Sequence, residues 1–200
     1  MQEITNSLNY LAHIYLSGDD EQLLFGNFIA DHVKGNVLDL YETGIQKGIR
    51  LHRMIDTYTD THAIVRQGKV RLRPYVGKYA PVALDILYDH FLAAGWNDYH
   101  YLPLESFTFN TYTTLDKRVA MMPEKTKHMY AYMRRDDWLS GYAQIAGIDM
   151  ALKGLSRRTK FESNLGNATV ALRDHYNDFK KEFEEFFSEL KLYISNQKKS

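Results

Sequence analysis

Residues 44–66, GIQKGIRLHRMIDTYTDTHAIVR, decide the fold class. At ~100° per residue, Ile45, Ile49, His52 and Asp56 line up as one stripe, and Leu51, Ile55 and Tyr58 form a second beside it. Apolar side chains over so much of a helix imply that it is buried. A histidine and an aspartate four residues apart then continue an inward-facing row. A carboxylate in such a place is costly unless it is paired or holds a metal.

Two neighbouring segments repeat the anomaly. A helix over 82–93 follows Pro81 and ends at Gly95. On it Asp85 and Asp89 share a stripe with Val82 and Ile86, Leu84, Leu87, Tyr88, Phe91 and Leu92 cover the other faces, and His90 follows directly. A helix over 21–33, stopped by Gly35, holds Leu24, Phe28 and Ile29 and closes on Asp31 and His32. A single His/Asp pair is usually an ion-paired surface feature, and Lys47, Arg50 and Arg53 stand near enough to neutralise Asp56 without a metal. The coincidence across three buried helices is what favours one divalent cation serving several of these groups.

The rest of the chain reads as helix too. Helices are expected over 9–16, 105–121 and 124–133, with two or three short ones over 138–158. The helix that starts at 44 ends near 66, with Gly68 just beyond it. Leu172, Tyr176, Phe179, Phe183, Phe186, Leu190 and Tyr193 recur every three or four residues on a long C-terminal helix, a stripe read as plain core. Alternating strand patterns are nearly absent. The expectation is an all-α, single-domain helical bundle spanning 1–200.

Bulk properties narrow the function. Apolar residues make up 44% of the chain and charged residues 25%, an ordinary globular composition. The absence of cysteine excludes a disulfide framework and thiolate-bound zinc, and fits a reducing compartment. No signal peptide or membrane span is visible, so the cytoplasm is the expected location. Twenty-five basic residues balance twenty-five acidic ones, which argues against a generic nucleic-acid binder. There is no phosphate-cradling glycine loop, no GxSxG elbow and no HExxH. Around an expected loop, Arg66, Lys69, Arg71, Arg73 and Lys78 form a basic run that is either solvated surface or a patch for an acidic partner.

Four segments carry a resemblance. Asn9-Tyr-Leu-Ala-His13, Gly26-Asn-Phe-Ile-Ala-Asp31, His52-Arg-Met-Ile-Asp56 with Thr59-Asp60, and Leu84-Asp-Ile-Leu-Tyr-Asp-His90-Phe91 resemble the acyl carrier protein phosphodiesterases, and Ser156-Arg157-Arg158 is a further match. The likeness is strongest over 8–96. It implies an all-helical protein distantly related to the HD-type metal-dependent phosphohydrolases. It also implies hydrolysis of the phosphodiester that joins 4′-phosphopantetheine to a serine of holo-acyl carrier protein, with a divalent cation, typically manganese, magnesium being possible. Carried onto this sequence, the resemblance makes Asp31, His52, Asp56 and Asp89 the metal site. His13, His90 and Arg53 become catalytic candidates, Arg157 and Arg158 bind the substrate phosphate together with Arg53, and the basic run docks the acidic carrier. Two alternatives stay open: an HD-type hydrolase of a nucleotide or other small phosphate ester, and a non-enzymatic helical module for an acidic partner.

Overall fold

The computed structural model describes residues 9–157 and 163–197, without the side chains of 36 and 37. The helices are α1 (Tyr10–Ser17), α2 (Glu21–Ile29), α3 (Thr43–Thr61), α4 (Ala63–Val76), α5 (Ala80–Ala94), α6 (Leu104–Asp116), α7 (Glu124–Arg135), α8 (Trp138–Gly141), α9 (Ile145–Ser156), α10 (Ala168–Asp174) and α11 (Tyr176–Gln197). Short 3₁₀ turns join several of them, and the described residues contain no strand. One apolar core runs from Tyr10 to Ile194 through every long helix. The expected all-α class is what forms.

Two devices set the geometry around α1, α2 and α3. The first is a crossing of α2 and α3 at Gly26 and Gly48. A Cβ on Gly26 would overlap the carbonyl oxygen of Ile45, and one on Gly48 that of Leu23. Only glycine lets the two backbones lie this close. The second is the entry of α2. Asp20 caps it, accepting from the N–H groups of Gln22 and Leu23 at 2.9 and 3.0 Å. Before that cap, Gly18 at φ 68° turns the chain back from α1.

Several boundaries differ from the sequence expectation, among them the ends of α2 at Ile29 and of α6 at Asp116. The helix that begins at Thr43 ends at Thr61, because His62 is extended (φ −71°, ψ 136°), and a new helix starts at once. Gly68 is therefore not a stop. It lies within α4, where a Cβ would press on the side chain of Leu84, so its bareness lets α4 lie against α5. The basic run is accordingly helical, with Arg66, Lys69, Arg71 and Arg73 on α4 and Lys78 just after it. Pro74 lies within α4, two residues before its end. The C-terminal stripe is divided at His175 between α10 and α11, yet Leu172, Phe179, Phe183, Phe186 and Leu190 are all buried, as core should be.

Candidate metal centre

The α2–α3 crossing places Asn27 beneath two imidazole rings. Its side chain is wholly inaccessible, at 0% exposure. Its Nδ2 donates to the carbonyl oxygen of His13 at 2.8 Å and to Ser17 Oγ at 3.0 Å. A carbonyl only accepts, so this contact fixes which end of the amide is nitrogen. The opposite end, Oδ1, lies 2.7 Å from His13 Nδ1 and 3.1 Å from His52 Nδ1. Oxygen has no proton to give, so both Nδ1 atoms must be the donors. Both Nε2 atoms, in the neutral rings, then carry lone pairs.

Both Nε2 atoms lie beside carboxylates. His13 Nε2 lies 3.3 Å from Asp56 Oδ1, and His52 Nε2 lies 3.2 Å from Asp56 Oδ2 and 3.4 Å from Asp31 Oδ1. The two rings stack with centroids 4.2 Å apart. Both Nε2 atoms and Asp31 Oδ2 are buried and lack a hydrogen-bond partner. In neutral His13 an acceptor faces an acceptor, which repels in a buried place unless a proton or a metal cation stands between them, and at His52 either of these can fill the same position. Ligand atoms of His13, His52 and Asp56 all lie within 4.8 Å of one another, close enough to share one ion. Two imidazoles with one or two carboxylates form a donor set suited to a divalent transition metal.

Protons distribute unevenly over the cluster. Burial pulls His52 down, but the carboxylates of Asp31 and Asp56 outweigh it and hold the imidazole up at about 9. Burial pushes Asp56 up, yet His13 and His52 outweigh that and keep its carboxyl well below the usual range. His13 is lowered by its own burial and by the positive charge on His52. One cationic imidazole thus sits between two carboxylates, beside a neutral one.

The remaining sequence candidates fall in different places. Asp31, on the 3₁₀ turn after α2, joins the cluster through His52. Asp89 is buried on α5 with both oxygens engaged, Oδ2 by the N–H of Leu11 and Oδ1 by that of Ala12, each at 2.9 Å. Burial pushes its carboxyl well above the usual range, while those two N–H groups pull it back. It anchors the first turn of α1, the helix that carries His13. His90 is buried apart from the cluster, its Nδ1 2.8 Å from the carbonyl oxygen of Tyr142 and its ring edge-on to Tyr176. Arg53 is exposed on α3 and donates to the Val33 carbonyl at 3.2 Å. Arg157 is exposed after α9, and Arg158 lies outside the described residues.

Asn27 was not anticipated. The available signal was an amide next to a glycine, in the middle of a helix otherwise apolar from Leu23 to Ile29. Asp89→Asn separates an anchor from a ligand. The amide offers one acceptor for two N–H groups, so stability should fall by about 1–3 kcal/mol in urea unfolding while Mn2+ stoichiometry stays unchanged. Lost manganese with undiminished stability would make Asp89 a ligand instead.

Comparison with known proteins identifies the family. Residues 8–190 match the family model described as acyl carrier protein phosphodiesterase. The chain is 34% identical over 183 residues to the acyl carrier protein phosphodiesterase of Photorhabdus laumondii, covering 90% of this chain and 91% of that one. It is 31% identical over 192 residues to the protein of the same name from Klebsiella pneumoniae, covering 95% and 99%. With the Pectobacterium atrosepticum protein, also of that name, it shares 29% over 191 residues, again 95% and 99%. No solved structure gives a significant match. The near-complete coverage of chain and relatives alike leaves one conclusion: the chain belongs to the acyl carrier protein phosphodiesterase family.

Proposed function

We propose that this protein hydrolyses the phosphodiester between 4′-phosphopantetheine and the serine of holo-acyl carrier protein, releasing phosphopantetheine and the free serine hydroxyl. The observation that supports the metal dependence is the pair of buried Nε2 atoms, neither with a hydrogen-bond partner, that lie beside one carboxylate. His13, His52 and Asp56 hold a divalent cation, with Mn2+ the first choice and Mg2+ the second, and Asp31 completes the set. When bound, such an ion lowers the pKa of a coordinated water and offsets charge growing on the phosphoryl oxygens. Asp56 bridges both imidazoles and keeps the ligands aligned. The proposed grip on the phosphate oxygens comes from Arg53, on the same helix and at the surface, supplemented by Arg157 and Arg158. Incubating the protein with holo-acyl carrier protein and Mn2+, then weighing the carrier, should show loss of the phosphopantetheine mass. An unchanged carrier mass would overturn the reading.

Ion binding should expel the proton that His52 holds. With that imidazole at about 9 in the metal-free protein, it is charged near neutral pH, and a charged imidazole cannot ligate. About one proton should therefore be released per ion, and affinity should climb by about tenfold per pH unit until that range is reached. Calorimetry in buffers of different ionisation enthalpy measures the release. Binding with no proton release would show that His52 is not a ligand.

The basic run divides into two groups. Arg71 is tied into the fold, reaching Glu182 at 2.7 Å and Asp178 at 3.2 Å on α11. Lys69 pairs with Asp60 at 2.9 Å, and Lys78 lies over the Tyr79 ring. Arg66 and Arg73 are exposed and make no ion pair with a described residue, and they are the proposed contacts for the acidic carrier. Reversing both to glutamate should lower kcat/KM on the carrier by about tenfold at low salt, with the gap narrowing as salt screens it. Turnover of a small phosphodiester should be unchanged. Equal loss on both substrates would remove the docking role. No helix among the described residues is long and apolar enough to cross a membrane, and the proposed site of action is the cytoplasm.

A further inference from the structure

We propose that Asn27 is the positioning residue of the metal centre: its single side-chain oxygen holds both His13 and His52 in the Nδ1–H form, so that both Nε2 lone pairs face one point. The proposal rests on the metal-centre reading above. An unconstrained neutral histidine prefers its proton on Nε2. In that form His13 would turn an N–H towards Asp56 and present no lone pair to an ion. Asn27 Oδ1 lies 2.7 and 3.1 Å from the two Nδ1 atoms and accepts from both. The amide cannot flip to accommodate the other form, because Nδ2 is already spent on the His13 carbonyl and on Ser17 Oγ. Hence one residue, anchored to the backbone of one ligand, sets the tautomer of two.

The arrangement also fixes aim. Rings joined at Nδ1 to a common oxygen and stacked 4.2 Å apart, 28° from parallel, direct their far nitrogens to the same side. No other buried side chain among the described residues is hydrogen-bonded to either Nδ1. Partners of this kind, behind the ligands themselves, typically change metal affinity by about 10–100-fold.

The test reads the tautomer directly. Long-range 1H–15N spectra of metal-free protein at mildly alkaline pH should show His13 protonated at Nδ1 and bare at Nε2. Asn27→Leu should return His13 to the Nε2–H form and weaken Mn2+ binding by about 10–100-fold. Ser17→Ala removes an acceptor from the same amide without touching Oδ1, and should leave the tautomer as in wild type. Wild-type His13 found in the Nε2–H form overturns the proposal, and so does an Asn27→Leu protein that keeps the Nδ1–H form. Should Asn27→Leu not fold, the wild-type and Ser17→Ala spectra still decide. A protein with the Nδ1–H form that binds no Mn2+ would sink the metal reading and leave the tautomer lock standing. One that binds Mn2+ with His13 in the Nε2–H form would do the reverse.

Discussion

Asp56→Ala and His52→Ala are each expected to lower phosphodiesterase kcat/KM by on the order of 10³-fold or more, with bound Mn2+ falling in parallel. Among the described residues Asp56 is the one carboxylate that lies beside both imidazoles, at 3.3 and 3.2 Å, so on the proposed reading its loss removes a ligand and the bridge between the other two. His52 is the ring held by both Asp31 and Asp56. Helical content should stay near wild type, since α3 is pinned to the core by Ile45, Ile49 and Ile55, all buried. Asp31→Ala should cost less, about 10–100-fold, as Asp31 touches the cluster only through His52. Metal analysis and circular dichroism on the same samples check this. Full metal occupancy and activity in either of the first two variants would reduce the pair to a structural contact.

Gly48→Ala should be nearly as damaging, with no charge involved. The added methyl would meet the Leu23 carbonyl and the Gly26 Cα, both backbone, so no side-chain rotation relieves it. The two helices must part, at a cost of about 3 kcal/mol or more. The same displacement lengthens the 3.1 Å contact between Asn27 and His52. Thermal stability and Mn2+ affinity should therefore drop together. Gly154→Ala supplies the contrast. Nothing lies near that position within α9, so alanine there should raise stability by about 0.5–1 kcal/mol through helix propensity alone. Equal behaviour of the two variants would mean that the crossing tolerates a wider spacing.

What could be read from the sequence was whatever lies along one helix. The i,i+4 spacing put His52 and Asp56 over one patch of surface, and the apolar rows beside them gave burial without reference to any partner. The C-terminal aromatic stripe was recognisable as core for the same reason. Relations between helices were readable only in part: the segment ending at Asp31 does meet His52, as the shared anomaly suggested, but the partner of each group was not readable. Asp89 had the appearance of a ligand because a buried acid demands a partner, but the partners are backbone N–H groups of a helix 78 and 77 residues earlier. Gly68 had the appearance of a stop because glycine's usual role at helix ends hides its other use, close approach. Asn27 is uncharged and gave no periodic signal, so only the crossing reveals what it touches. Arg71 belonged to a run of positive charge until Glu182 and Asp178 of α11 answered it.

The tie between Asp89 and the start of α1 has a bearing on how the chain is made. Bringing its ends together closes a long loop, and that closure must be met before the contacts it allows can reward it. Helices α2 and α3, adjacent in sequence and joined at their glycines, can dock early and locally. Helix α1 acquires its anchor only after α5 exists. On a ribosome, the segment bearing His13 therefore emerges first, can be held locally by Asn27 of α2, and gains its Asp89 anchor last. The ligands themselves, from His13 to Asp56, are all made before α5, so the long-range tie steadies α1 after the set has been synthesised and does not complete it.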